Sequence, residues 1–264
     1  MNNLRKYGKA PFKVAVIHGG PGAGGEMAPV ARELSTAWGI MEPIQTATSL
    51  EVQVEELRTV LESAGDLPVT MIGFSWGAWL SFIVTADHSA IVQKLILVGS
   101  GPYEEKYVSR LQEAQLARLG EAASAEFQSI IRALTDPTTS NKDTLLARLG
   151  TLTSTTDSYA PVMNETSSSD SVRSQGDIFQ SVWNDATELR RSGRLLELGQ
   201  RINCPVVAIH GDYDPHPVEG VQEPLAATLE NFRLIVLKNC GHKPWTERLA
   251  RDDFFMALRG ELPR

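Results

Sequence analysis

The stretch that decides the fold is Leu67-Pro-Val-Thr-Met-Ile-Gly-Phe-Ser-Trp-Gly-Ala-Trp-Leu-Ser-Phe82. A mostly apolar run leads into Gly73, the hydroxyl of Ser75 follows two positions later, and Gly77 two after that. Pro68 to Ile72 has the length of a buried strand, and the residues from Trp76 onward read as an apolar helix. A strand that turns sharply into a helix leaves little room, so the residues two before and two after the apex must be small. Glycine at both places lets strand and helix approach. Ser75 is then exposed at the carboxyl end of a sheet, next to a helix N-terminus, as a nucleophile would be. G-x-S-x-G alone arises often by chance. Its weight here comes from the strand before it and the helix after it.

Working outward, Lys13 to Ile17, Ile91 to Val98, Val206 to Ile209 and Leu234 to Leu237 are further short apolar runs with the character of buried strands. About a dozen residues precede the first of these, and no strand is expected among them. Ser49 to Ala64 reads as a helix with Leu50, Val54, Leu57 and Leu61 on one face. Thr48 and Glu51 suggest a capping box, and Gly65 a stop. Val218 to Leu229 reads as helical, with Pro224 marking where the helix proper begins. Thr246 to Leu258 reads as the last helix. Strands alternating with helices predict an α/β fold with a mostly parallel, doubly wound sheet. The alternation breaks between Pro102 and Asp185. Tyr107 to Leu119, Glu121 to Leu134 and Asp143 to Leu149 look helical there, and Thr151 to Asp177 is rich in Ser and Thr, a mobile loop or a spacer. The expected organisation is a core of residues 1–101 and 186–264 with a helical cap inserted at 102–185.

Bulk properties narrow the partners. The 264 residues are 42% hydrophobic with a formal net charge of −7, enough for a sizeable core and without the basic surface that nucleic acid requires. No run approaches the ~18 apolar residues of a membrane span, and the N-terminus lacks a signal-peptide pattern. A cytoplasmic protein acting on a small-molecule substrate is expected, with no membrane partner; homo-oligomerisation stays open. The two cysteines, Cys204 and Cys240, have no metal-ligand spacing.

Three features join Ser75. The strand ending at Ile17 runs into His18-Gly-Gly-Pro-Gly22, a turn whose glycine N–H groups can point at a developing oxyanion, Pro21 having none to offer. The strand ending at Ile209 runs into His210-Gly-Asp-Tyr-Asp-Pro215, where an acid could orient an imidazole. The last strand is followed by His242, which falls at the same sheet edge. The order is serine, acid, histidine. On these residues the chain resembles the α/β-hydrolases. HGGPG followed by G-x-S-W-G is similar to their proline iminopeptidase branch, and the insertion stands where those enzymes carry a cap. The resemblance implies Ser75 as nucleophile, Asp214 as acid, His242 as base, an oxyanion hole from the N–H groups of Gly20 and Trp76, and no metal or organic cofactor.

The chain departs from that branch. Iminopeptidases usually read G-G-S-W-G-S, where this chain has Phe74 and Ala78, and their opening hairpin is expected to be shortened or missing. Their cap glutamates lie near an E-N-H-Y/F stretch, where Ser181-Val-Trp-Asn-Asp-Ala186 stands instead; Glu104, Glu105 and Glu165 are the acids that could substitute, or simply form a solvated face. A carboxylesterase is therefore expected first, a small-peptide aminopeptidase second, and a non-catalytic ligand-binding protein of the same fold third. Serine at the apex disfavours epoxide and haloalkane hydrolysis. Asp214 is preferred to Asp212 because the family reads G-x-x-D from Gly211. Phe74, His216 and Trp245 are expected to line the pocket, Trp79 to pack its helix, and Cys240 to fill space. His18 is expected to brace its loop, His210 to be structural, and His88 to lie at the surface.

Overall fold

The protein is described by a computed structural model covering residues 3–22, 24–136, 138–162 and 175–263. Its strands are β1 (Leu4–Tyr7), β2 (Val14–Ile17), β3 (Ile40–Pro43), β4 (Val69–Phe74), β5 (Val92–Val98), β6 (Val206–Gly211) and β7 (Phe232–Leu237). They form one sheet in the order β1-β3-β2-β4-β5-β6-β7. Every neighbouring pair is parallel except β1 with β3. β2, β4 and β6 are buried at every position, as strands covered on both faces must be. β1 corrects the expectation that no strand precedes Lys13. Leu4-Arg-Lys-Tyr7 carries two cations in four residues and has no apolar run, so only its pairing with β3 identifies it as an edge strand.

Period-two alternation divides the core. Ala15, Ile17, Met71, Leu95, Leu97, Val206 and Ala208 face one way, against α2 (Leu50–Ala64) and α3 (Trp76–Asp87). Val14, Val16, Ile72, Ile96, Val98, Val207 and Ile209 face the other. Helices α1 (Ala28–Leu34) and α10 (Arg251–Glu261) cover that side with Val30, Leu34, Phe254 and Leu258. Every residue of α3 from Trp76 to Ala86 is buried, which explains why it reads as apolar all round. α2 is capped by Ser49, whose Oγ accepts from the Val52 N–H at 3.4 Å; the cap is one residue later than the Thr48 expected, and the box with Glu51 does not form.

Between β5 and β6 lie α4 (Val108–Arg118), α5 (Glu121–Thr135), α6 (Lys142–Thr156), α7 (Gly176–Arg191) and the single turn α8 (Arg194–Glu197). Phe127, Ile130, Leu134, Leu149 and Leu152 give the insertion a small core of its own. α6 takes in the start of the Ser/Thr-rich stretch, and α7 runs through the boundary expected at 185/186. Residues 163–174, with Glu165, lie outside the described residues. Pro224 is inside α9 (Glu219–Thr228) and does not begin it. The helix tolerates the missing N–H because the Gly220 carbonyl it would have bonded accepts from the Tyr103 N–H instead, at 2.9 Å. Thr246 belongs to a short turn ahead of α10. Among the described residues no helix is long and apolar enough to cross a membrane.

Candidate active site

Ser75 joins β4 to α3 with φ 52° and ψ −116°, a left-handed conformation that non-glycine residues rarely adopt. Its N–H is tied to the Val98 carbonyl at 2.9 Å. A Cβ on Gly73 would lie 2.3 Å from the Gly77 carbonyl oxygen, and one on Gly77 would lie 2.4 Å from that of Ile17. The two glycines are thus required by close backbone approach, Gly73 within the turn and Gly77 against the end of β2. Ser75 itself is half-buried.

His242 follows β7. Its N–H donates to the Asp157 carbonyl at 2.7 Å and its Nδ1–H to Asp214 Oδ2 at 2.8 Å. The ring lies 4.8 Å from that of Phe74, and a Cβ on Gly99 would come 3.0 Å from Nδ1. The imidazole therefore sits at the carboxyl ends of β4 and β5, beside the turn that carries Ser75. The Ser75 hydroxyl makes no hydrogen bond among the described residues; such bonds are often loose without substrate.

Asp214 is buried at the end of β6. While Oδ2 serves His242, Oδ1 accepts from the His216 N–H at 2.9 Å and from His216 Nδ1–H at 2.7 Å. Burial alone would raise its pKa, but His242, His216 and His210 together hold it well below the ordinary carboxylate value. Burial would likewise weaken His242 as a base, and the charge and hydrogen bond of Asp214 outweigh that, so its basicity is raised. Asp212 is exposed, accepts from the Cys240 N–H at 3.3 Å and lies 3.6 Å from Lys238. Asp214, His216 and His242 are close enough to suggest a cation site. Both ring Nδ1 atoms already donate to the carboxylate, which makes the group a hydrogen-bond network.

His18 braces the glycine-rich turn, as expected. It is buried, its Nδ1–H donates to the Gly19 carbonyl at 2.7 Å, and Nε2 accepts from the Gln45 N–H at 3.1 Å. Burial lowers its pKa and keeps it neutral. Sequence reasoning missed Gln45. Its Nε2 donates to the His18 carbonyl at 3.2 Å and its Oε1 accepts from Trp76 Nε1–H at 2.8 Å, so one buried amide joins the glycine-rich turn to the start of α3. Gly20 has φ 48°, and among the described residues neither its N–H nor that of Trp76 is engaged. Glu26 pairs with Lys243 and so ties the same turn to the His242 loop. Glu247 was also missed. It is fully buried, and accepts from the N–H groups of Tyr159 at 2.7 Å, Ala160 at 2.7 Å and Gly241 at 3.1 Å.

Two residues expected to line the pocket are buried behind the site. Phe74 and Trp245 are 1% and 2% exposed and pack edge to face with centroids 4.7 Å apart, because the alternation of β4 turns Phe74 to the α10 side. Phe74 backs the His242 ring and Trp245 packs behind Phe74, against Phe254. His216 retains some exposure, but its ring is committed to Asp214. His210 is buried and neutral, its Nε2–H donating to the His216 carbonyl at 2.8 Å, while Nδ1 has no partner among the described residues. Trp79 stacks on Trp183 of α7 at 6.0 Å, consistent with packing. Cys240 is buried, its thiol pKa pushed up by burial, so it fills space. Glu104 pairs with Lys106 and Glu105 with Arg190. A groove of about 680 Å³ beside Lys9, Trp38 and Pro263 lies at the opposite end of the strands and brings no nucleophile and base together.

No curated protein sequence matches the chain. Among solved structures it superposes on VinJ with a TM-score of 0.69 at 16% identity, over 98% of this chain and 93% of that one. For Est816, described as an N-acyl homoserine lactone degrading enzyme, the values are 0.64, 17%, 98% and 96%. For the proline iminopeptidase of Mycobacterium smegmatis they are 0.63, 17%, 98% and 92%. The alpha/beta hydrolase fold family model matches residues 21–247. With its single sheet, its strained serine turn and this match over most of its length, the chain belongs to the α/β-hydrolase fold family.

Proposed function

We propose that the protein is a serine hydrolase that cleaves small carboxylic esters through an acyl-enzyme. The observation that carries this is the Asp214–His242 hydrogen bond of 2.8 Å, at the same sheet edge as the strained Ser75 turn. Ser75 Oγ attacks the acyl carbonyl. His242 Nε2 takes its proton and passes it to the leaving oxygen, while Asp214 holds the Nδ1–H tautomer and stabilises the imidazolium. The N–H groups of Gly20 and Trp76 stabilise the oxyanion, each by ~2.7–4 kcal/mol where such donors have been removed. Water then attacks the acyl-enzyme with His242 again as base. The helical insertion acts as a cap that limits substrate size and excludes water.

An aminopeptidase would need a cap carboxylate free to pair with the substrate's ammonium group. Glu104 and Glu105 are already paired with cations, which leaves Asp157, hydrogen-bonded to Gln115 and Thr156 beside His242, as the described acid of the insertion for an aminopeptidase to use. The test is labelling by a fluorophosphonate probe, then turnover of p-nitrophenyl esters of graded acyl length beside prolyl- and alanyl-anilides. Labelling with preferential ester turnover is expected. Absence of labelling would indicate a ligand-binding protein, and efficient prolyl-anilide cleavage an aminopeptidase.

A further inference from the structure

A carboxylate turns easily about its last bond and can offer either oxygen, or both, to an imidazole. Asp214 is denied that freedom. Oδ2 takes His242 Nδ1–H at 2.8 Å, and Oδ1 is occupied twice by His216, through the backbone N–H at 2.9 Å and ring Nδ1–H at 2.7 Å. An ionised carboxylate only accepts, so His216 must be the donor in both bonds and its ring must carry the proton on Nδ1. His216 is itself held firmly. Prolines stand on either side of it, in Asp214-Pro-His-Pro217, and its carbonyl accepts from His210 Nε2–H at 2.8 Å. Its ring stacks on that of His242, centroids 4.5 Å apart and planes 22° from parallel. Two imidazoles therefore share one acid, a residue apiece on its two oxygens, with their Nε2 edges both turned away from it.

We infer that His216 is a positioning residue for the acid–base pair, holding Asp214 so that a single oxygen, carrying part of its negative charge, faces His242; this rests on the serine-hydrolase reading. Two consequences follow. The ring of His242 is fixed from the acid side and from one face. The charge that Asp214 can offer an imidazolium is also reduced, because a second donor draws on the same carboxylate. The other charged or titratable groups around His242 are Asp157, Glu26, Lys243 and His210; none of them touches the Asp214 Oδ1 atom that His216 holds, and His210 Nε2 stands 3.6 Å from Oδ2, beyond hydrogen-bond distance.

The test uses His216→Ala, His216→Phe and His216→Asn in the full chain. Phenylalanine keeps a stacking ring without a donor. Asparagine places an N–H near the position of Nδ1 and adds no titrating proton, which separates the hydrogen bond from the charge of an imidazole. The readouts are the pH profile of kcat/KM on p-nitrophenyl acetate, the split between kcat and KM at the plateau, and the low-field proton resonance of His242 Nδ1–H. In the Ala and Phe variants the acid limb should move to higher pH by about 0.5–1 unit, since Asp214 holds the imidazolium more tightly. Plateau kcat should fall by about tenfold with little change in KM. The Asn variant should restore both. An unmoved acid limb in Ala and Phe, an Asn variant that behaves like Ala, or a loss confined to KM would each overturn the inference, the last by making His216 a substrate contact. If Ala fails to fold, Phe against Asn decides alone. If the wild-type protein neither turns over esters nor labels, the hydrolase reading has failed, and the pH titration of the low-field resonance still shows whether His216 governs the Asp214–His242 pair.

Discussion

Replacing Glu247 by Gln is an isosteric change whose cost can be worked from the structure. Oε1 accepts from the N–H groups of Tyr159 and Gly241 and Oε2 from that of Ala160; the carboxylate and the Gly241 bond are buried, while the bonds from Tyr159 and Ala160 are partly exposed. A glutamine keeps one oxygen. Its NH₂ must then face at least one backbone N–H, so one charge-assisted bond is lost and two donors are opposed. Hydrogen bonds to charged groups contribute ~1.5–3 kcal/mol, and an unsatisfied buried donor costs ~1–3 kcal/mol; because the Ala160 bond is partly exposed, the lower part of their sum applies, and a loss of about 2–4 kcal/mol is expected. For a domain of this size that corresponds to a fall in Tm of roughly 4–15 °C. Glu247→Leu would take the acceptor from all three N–H groups and leave the buried Gly241 N–H unpaired, so it should cost more than Glu247→Gln. Activity should suffer too. The segment that Glu247 holds includes Asp157, whose carbonyl takes the His242 N–H at 2.7 Å, and a displaced base should lower kcat by about 3–10-fold. Thermal denaturation followed by near-ultraviolet circular dichroism, with ester turnover in parallel, makes the measurement. A Glu247→Gln protein that melts within about 1 °C of wild type would refute the reasoning.

Ser75→Ala should abolish probe labelling and cut ester turnover by roughly 10⁴–10⁶-fold. Asp214→Asn should cost about 10⁴-fold in kcat and Asp212→Asn little, and a reversed ranking would mean that the acid was misassigned. Gln45→Leu should leave Trp76 Nε1–H and the His18 carbonyl unpaired, with a stability loss of about 2–4 kcal/mol by urea denaturation and a lower kcat; unchanged values for both would show that the bridge is dispensable. Under the proposed mechanism His242 works only when neutral, and its basicity is raised, so kcat/KM should fall as pH drops through a value above the ordinary 6.5 of an imidazole. The sign for stability is opposite. The increment due to His242 is full below about 6.5 and is lost as pH rises through the raised value, so across that interval activity should climb while this part of the unfolding free energy declines. Parallel pH series of turnover and chemical denaturation would show whether the two diverge.

The features legible in the sequence are those specified locally. Gly73 and Gly77 flank a single serine between two apolar runs, and the reason they must be glycine is backbone crowding within a few residues. The strand ends that carry Asp214 and His242 could be found because buried parallel strands are continuous apolar runs. What escaped depends on partners distant in sequence. Gln45 is an isolated glutamine until folding places it between His18 and Trp76. Glu247 gives no sign of burial because its donors include Tyr159 and Ala160, far along the chain. β1 has no apolar pattern of its own. Phe74 is next to Ser75 in sequence, but it lies on the same face of β4 as Ile72, and the pleat decides which way its ring points. The role of His216 needed the rotation of the Asp214 carboxylate, which no spacing reveals.

The start of α7 rests on the glycine-rich turn, the Gln175 N–H donating to the Gly22 carbonyl at 3.1 Å. A Cβ on Gly22 would come 2.6 Å from the Gln175 carbonyl oxygen, so backbone meets backbone with no side chain to yield. Under the proposed mechanism this couples admission to readiness. A guest large enough to shift α7 must also disturb the turn that supplies one of the oxyanion donors. Oversized acyl groups should then be accepted but processed slowly, with selectivity written in kcat more than in KM. A homologous series of p-nitrophenyl esters whose KM rises while kcat stays level would show instead that the cap and the turn move independently.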